Sequence, residues 1–195
     1  MTVSSQLPGT GSSNARMAPG PLQVVPAANG NPATLRLPDG RAFSVRPLRP
    51  DDVAALRRAF LRLTPEEVEY RFFYRSRELP ASVSAQVQNL DPTRDAAFVV
   101  DDAGEIRAVV DMHIDRPDGR VAEFGLIVGK AVSGHGIGRY LMRTLLDEAR
   151  RRHVVSLTGS VLSENARMLV LCRELGATVA ADPDDPAVRN VTFRP

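Results

Sequence analysis

Apolar and polar positions alternate in Thr34-Leu35-Arg36-Leu37 and again in Ala42-Phe43-Ser44-Val45-Arg46, with the turn formers Pro38-Asp39-Gly40 between them. This period of two predicts a β-hairpin. After Pro50-Asp51-Asp52 the period lengthens to that of a helix, with Val53, Leu56, Ala59, Phe60 and Leu63 on one stripe and arginines between them. Thr64-Pro65-Glu66-Glu67 supplies a capping box for a second helix, which the pattern carries through Tyr70, Phe72, Phe73 and Tyr74 until Leu79-Pro80 interrupts it. A short helical turn over Ala81 to Leu90 follows. Strands are predicted at Ala96 to Val100, Ile106 to Ile114 and Val121 to Val128, joined by turns at Asp101 to Gly104 and Pro117-Asp118-Gly119, as an antiparallel meander. The helix from Gly136 to Arg152 places Ile137, Leu141, Leu145 and Ala149 on one face, with Arg139, Arg143, Asp147 and Arg150 on another. Val154 to Leu162 is the next strand. Ser163 then caps a helix with Met168, Leu171, Cys172 and Leu175 on its apolar face and Gly176 at its end. Ala177 to Ala181 and Val188 to Phe193 close the order ββααβββαβαββ, without an internal repeat.

The first 32 residues do not follow this patterning. Met1 to Pro32 is rich in Ser, Gly, Pro, Asn and Ala and has no periodicity, so a disordered tail is expected ahead of a single domain over residues 33–195. An apolar share of 43% over 195 residues suffices for one core. The 25 basic residues outnumber the 23 acidic ones by only two, and the arginines are interleaved with Asp and Glu along the chain. That distribution argues against a nucleic-acid partner. A single cysteine, Cys172, excludes an internal disulfide and disfavours a structural zinc site, so no metal is expected and a reduced, cytoplasmic setting fits best. No run reaches the length of a membrane span and no signal-peptide order opens the chain, so no membrane partner is expected.

Candidate chemistry concentrates where the last strand of the meander meets the long helix. Ser133-Gly134-His135-Gly136-Ile137-Gly138 joins them. Its glycines let main-chain amides approach a ligand, and the helix start adds unpaired N–H groups and the positive dipole end. Three phosphate-binding patterns compete here. The spacing G-x-G-x-G is not the G-x-G-x-x-G of a dinucleotide fold, and no compact βαβ repeat precedes it. A P-loop needs Lys and Ser or Thr after its last glycine, whereas Arg139 and Tyr140 follow.

The third pattern is Q/R-x-x-G-x-G/A, and through it the segment resembles the GNAT acetyltransferase superfamily. Gly136 and Gly138 match its last two positions; Ser133 stands in place of Gln or Arg, and His135 where Arg or Lys is common. GRAFSVRPLRPDDVAALRRAF looks like the family's opening strand and first helix. AEFGLIVG, SENARMLVLCRELGA and EYRFFYRSREL are similar, more narrowly, to the acyltransferase domain of Pat-type bacterial protein lysine acetyltransferases. The likeness extends from about Leu35 to Phe193. It implies an α/β fold of the α+β mixed-sheet kind: a mainly antiparallel sheet with helices on both faces, splayed between the family's fourth and fifth strands, here Val121 to Val128 and Val154 to Leu162.

The resemblance also assigns roles. The pantetheine arm of acetyl-CoA would bond the main chain of Leu126, Ile127 and Val128 as an added strand does, with an amide near Leu126 facing the thioester oxygen. The diphosphate would lie on Ser133, Gly134, His135, Gly136, Ile137, Gly138 and Arg139, with Arg139 or His135 adding charge-assisted contacts. Asn165 could bond the pantetheine arm, or serve as a cap. Strand alternation sets Val121, Glu123 and Gly125 on one face, so that Glu123 interrupts a largely apolar strand; such a carboxylate is either paired structurally or kept for proton transfer. Pat-type domains carry their catalytic Glu at this position of AEF, which implies that Glu123 is the general base. Cys172 stands where many GNAT enzymes place a general-acid Tyr, and reads as a core residue rather than a nucleophile. His113 and His153 read as structural. The cluster Tyr70 to Arg77 borders the expected acceptor cleft and is its candidate specificity wall.

The implied activity is acetyl-CoA dependent N-acetylation, of a protein lysine or alternatively of a small amine, by a monomer or homodimer. An acyl-CoA sensing module without turnover is a third reading.

Overall fold

The computed structural model describes residues 21–27, 32–114 and 120–195. The strands are β1 (Gln23–Val25), β2 (Ala33–Arg36), β3 (Ala42–Pro47), β4 (Asp95–Asp102), β5 (Glu105–Ile114), β6 (Val121–Val128), β7 (Ser156–Leu162), β8 (Thr178–Ala181) and β9 (Val188–Phe193). They form one sheet in the order β1-β2-β3-β4-β5-β6-β7-β9-β8. All neighbours pair antiparallel except β6 and β7, which run parallel. The α-helices are α1 (Val53–Phe60), α2 (Pro65–Phe72), α3 (Ala81–Gln88), α4 (Ile137–Arg151) and α5 (Ala166–Glu174).

The sheet is covered on both faces: alternation along β5 buries Ala108, Val110 and Met112 against α4, while Val99 of β4 and Val109 of β5 pack with α1 and α3. The larger core cluster joins Val110, Met112 and Ala122 to Leu141, Met142 and Leu145 of α4 and to Leu169 and Cys172 of α5. A second cluster sets Val53 and Leu56 of α1 and Val87 of α3 against Val99 of β4. Arg46 of β3 ties the opening hairpin to both neighbours, at 2.7 Å from Asp52 and 2.6 Å from Asp101.

The order of elements matches the periodicities from β2 onward, with three departures. Residues 21–27 were expected to belong to the tail, yet Gln23–Val25 pairs with β2 through Val24 opposite Leu35; the rest of the expected tail lies outside the described residues, except Pro32. Helix α2 stops at Phe72, because Phe73 takes a left-handed conformation (φ 64°) and caps the helix with its N–H on the Glu69 carbonyl. Asn165, not Ser163, caps α5, its Oδ1 accepting from the Met168 N–H at 3.2 Å. Counted along this chain, the splayed strands are the sixth and seventh.

Candidate active site

β6 and β7 share only three register positions, Val121 with Ser156, Ala122 with Leu157 and Glu123 with Thr158. β7 then continues with β9 through Leu162, while β6 runs on to Val128 without a partner on that side. Phe124 is the first residue of β6 past the paired positions. A Cβ on Gly159 of β7 would stand 2.7 Å from the Phe124 ring, and that ring packs edge-on against Phe193 at 5.6 Å between centroids. The ring thus covers Gly159 on one face of the sheet, next to the last paired position of the two strands.

The hydrogen-bond parity of β6 follows from one contact. Gly129 N–H donates to the Arg107 carbonyl at 3.0 Å, and in an antiparallel ladder bonded and non-bonded pairs alternate. Ile127, Gly125 and Glu123 therefore turn their main-chain groups toward β5, while Phe124, Leu126 and Val128 turn theirs toward the gap. The Thr158 hydroxyl, donating to the Ala122 carbonyl at 3.3 Å, fits the same parity. Of the three residues expected to offer main chain to a pantetheine arm, Leu126 and Val128 turn theirs to the gap, whereas Ile127 turns its own to β5. Its side chain instead lines an apolar cavity of about 280 Å³ beneath the first three helices.

Beyond β6 a short 3₁₀ turn, Lys130–Val132, leads into the glycine loop. Gly134 (φ 78°) and Gly136 (φ 84°) are left-handed, which glycine adopts at no steric cost. The main-chain N–H groups of residues 134 to 139 meet no acceptor among the described residues; the first amide of α4 to find one is Tyr140, on the Gly136 carbonyl at 3.0 Å. Six successive amides at a helix start, exposed at Gly134 and Gly136, form a concave set of donors suited to an anion. Gly138 allows the close approach of α4 to β6, its Cβ position lying 3.5 Å from Val128 and 3.6 Å from Leu126. Ser133 contributes no free donor, because its Oγ and its N–H both bond the Lys130 carbonyl. His135 Nδ1 bonds the Ser133 carbonyl at 2.8 Å. Arg139 pairs with Glu174 across the start of α4.

Glu123 is exposed, and its carboxylate makes no ion pair or hydrogen bond among the described residues. Strand register gathers other ionisable groups on its face. His113 stands directly opposite it on β5 and Asp95 opposite His113 on β4, with Nδ1 and Oδ1 2.6 Å apart. Arg94 reaches His113 Nε2 at 3.3 Å. Gly125, two residues after Glu123 and on the same face, lies beneath Arg71 of α2, whose guanidinium donates to Asp111 at 2.9 and 3.2 Å. Sequence reasoning passed over Asp95, Asp111 and the pairing of His113 with Glu123, since only register brings them together. Past α2, Phe73 and Tyr74 are left 43% and 50% exposed at the chain's turn back toward α3.

Cys172 is fully buried, and burial pushes its thiol pKa up to about 11. It is a core residue with no access to a reacting group. Among the described residues no cluster of three His, Cys, Asp or Glu side chains could hold a metal ion, and no helix is long and apolar enough to cross a membrane.

These features recur in known proteins. A family model described as the Acetyltransferase (GNAT) family matches residues 56–177. Acetyltransferase PA5475 of Pseudomonas aeruginosa is 30% identical over 162 residues, covering 82% of this chain and 87% of that protein. Acetyltransferase Pat of Mycolicibacterium smegmatis is 26% identical over 87% of this chain, which spans only 54% of that longer protein. Among solved structures, the GNAT domain of S. lividans PAT superposes with a TM-score of 0.73 at 24% identity, covering 80% of this chain and 93% of that one. Salmonella typhimurium yncA, solved with its cofactor acetyl-CoA, superposes with a TM-score of 0.61 at 20% identity over 78% of this chain and 93% of that one. The fold, the splayed strand pair and the family match agree: the chain belongs to the GNAT acetyltransferase family, whose members draw their acetyl group from acetyl-CoA.

Proposed function

We propose that this chain acetylates the ε-amino group of a protein lysine, with Glu123 as general base. The observation that carries the reading is the continuity of three sets of groups along one path: the six uncommitted amides of residues 134–139, the gap-facing main chain of Val128, Leu126 and Phe124, and the unpaired carboxylate of Glu123 where the strands rejoin. Each meets one need of acyl transfer to an amine.

Bound acetyl-CoA supplies a thioester carbon open to attack by a neutral amine. The chain's own residues do the rest. The amides of Gly134 to Arg139 hold the diphosphate without a lysine, which suits a loop whose Ser133 hydroxyl is turned inward. Val128 and Leu126 bond the arm in the manner of an added strand, and the Leu126 N–H donates to the thioester oxygen as it gains charge. Glu123 Oε takes the proton from the incoming ammonium, directly or through water, and its exposure lets the proton pass on to solvent. Cys172, with its thiol pKa raised by burial, provides no acid for the leaving sulfur; a CoA thiolate departs without one.

A protein acceptor is favoured by the exposure of Glu123 and by the half-exposed Phe73 and Tyr74 after α2, aromatics of the kind that contact polypeptide. The apolar cavity reaching Ile127 supports a second reading, an amine with a compact apolar body. Radiolabelled acetyl-CoA incubated with the protein and a host lysate, then resolved by mass, separates the two. The lysine reading predicts label on polypeptide at lysine side chains; label confined to small molecules would overturn it.

A further inference from the structure

Strand β1 is the outermost of the sheet, yet it reaches the glycine loop. Its pairing with β2 puts Val24 opposite Leu35, which is fully buried in the core cluster shared with α4. Alternation therefore aims Val24 and Leu22 at the α4 side of the sheet. Leu22 packs on that cluster, and its Cβ and Cδ2 lie 3.7 and 3.8 Å from the Cβ position of Gly136. Between Leu22 and Val24 on one wall and His135, Tyr140 and Arg143 on the other is a cavity of about 410 Å³, bordered by Gly134 and Gly136. That is within the range of small-ligand pockets, about 300 to 1,000 Å³.

The two walls differ in chemistry. Val24 is left 40% exposed, an apolar surface on an edge strand. Arg143, one turn beyond Arg139 on α4, makes no ion pair or hydrogen bond among the described residues, whereas Arg139 is held by Glu174. An apolar wall facing an uncommitted guanidinium, beside amides suited to a diphosphate, matches a nucleotide bearing a further phosphate.

We propose that β1 and Arg143 form the nucleotide subsite of the acetyl-CoA site, with Leu22 and Val24 covering the adenosine and Arg143 holding the 3′-phosphate. This rests on the reading of residues 134–139 as the diphosphate cradle. The segment before β2 is then part of the binding site.

Calorimetric titration of the full chain with acetyl-CoA and with acetyl-3′-dephospho-CoA tests the subsite. Wild type is expected to prefer acetyl-CoA. Arg143→Gln is expected to lose about tenfold in affinity for acetyl-CoA, the scale of one charge-assisted hydrogen bond, and nothing for the dephospho thioester. Leu22→Ser combined with Val24→Ser, checked as folded by its melting curve, is expected to weaken both thioesters severalfold. Unchanged affinities in the variants would overturn the subsite alone, as would an equal loss of both thioesters in Arg143→Gln. Tighter binding by the double serine variant would also overturn it, showing that the segment competes with the nucleotide. If wild type bound neither thioester, the underlying reading of the glycine loop would fail and the subsite with it.

Discussion

Glu123 and Gly125 work as a pair because of what stands between them and α2. Arg71 lies flat on the glycine, and a Cβ there would come within 2.4 Å of the guanidinium carbon. The colliding atoms are the far end of a flexible side chain, so an added methyl displaces Arg71 rather than the strand. Gly125→Ala should accordingly leave the fold intact, with a stability change within about 1 kcal/mol. It should loosen the Arg71–Asp111 pair and raise the acceptor KM severalfold while acetyl-CoA affinity stays constant. Steady-state kinetics with each substrate varied in turn would check this; an effect on acetyl-CoA instead would mean that Arg71 does not border the acceptor. Alternation in the sequence puts the glycine on the same face as Glu123. Its purpose is not legible there, since Arg71 and Gly125 are joined only by the packing of α2 against β6. Arg139 is the converse case: a helix-start arginine is a natural phosphate ligand, but Glu174, 35 residues away, turns back along α5 to claim it.

At the level of elements, β6 and β7 part just past Glu123, where the Phe124 ring lies over Gly159. Phe124→Ala should cost about 3 kcal/mol of stability, the lower end for loss of a packed aromatic, measurable by urea denaturation. Where the variant remains folded it should bind acetyl-CoA more weakly, because the gap-facing amides of Leu126 and Val128 gain a competing strand. Undiminished acetyl-CoA affinity would show that something other than the ring keeps the strands apart. Alternation made β3, β5 and β6 legible, since each has one face or both against a core. β1 was not legible: a three-residue strand, in a segment of tail-like composition, carries too little periodicity, and only pairing with β2 gives it order. The end of α2 escaped for a related reason, because Phe73 and Tyr74 continue an aromatic run whose stop lies in one left-handed residue.

On the scale of the molecule, the proposed mechanism takes three sets of groups in sequence along one strand and the loop after it. The order of elements and the glycine spacing in the sequence point to this arrangement. What they could not supply was lateral order: which residue of β5 faces Glu123, and that Asp95 then stands behind His113. Lateral register depends on turn geometry and core packing across residues distant in the chain. The proposed roles put binding and chemistry at different points on the path, the loop amides at one end and the Glu123 carboxylate at the other, so a change at one end should leave the other intact. The most direct measurement is therefore made on Glu123→Gln, comparing acetyl-CoA affinity by calorimetry with the single-turnover rate of acetyl transfer to an unmodified target lysine. The account predicts affinity within about twofold of wild type and a rate lower by about one hundredfold or more, the usual contribution of a general base. A Glu123→Gln enzyme that turned over at the wild-type rate would contradict it.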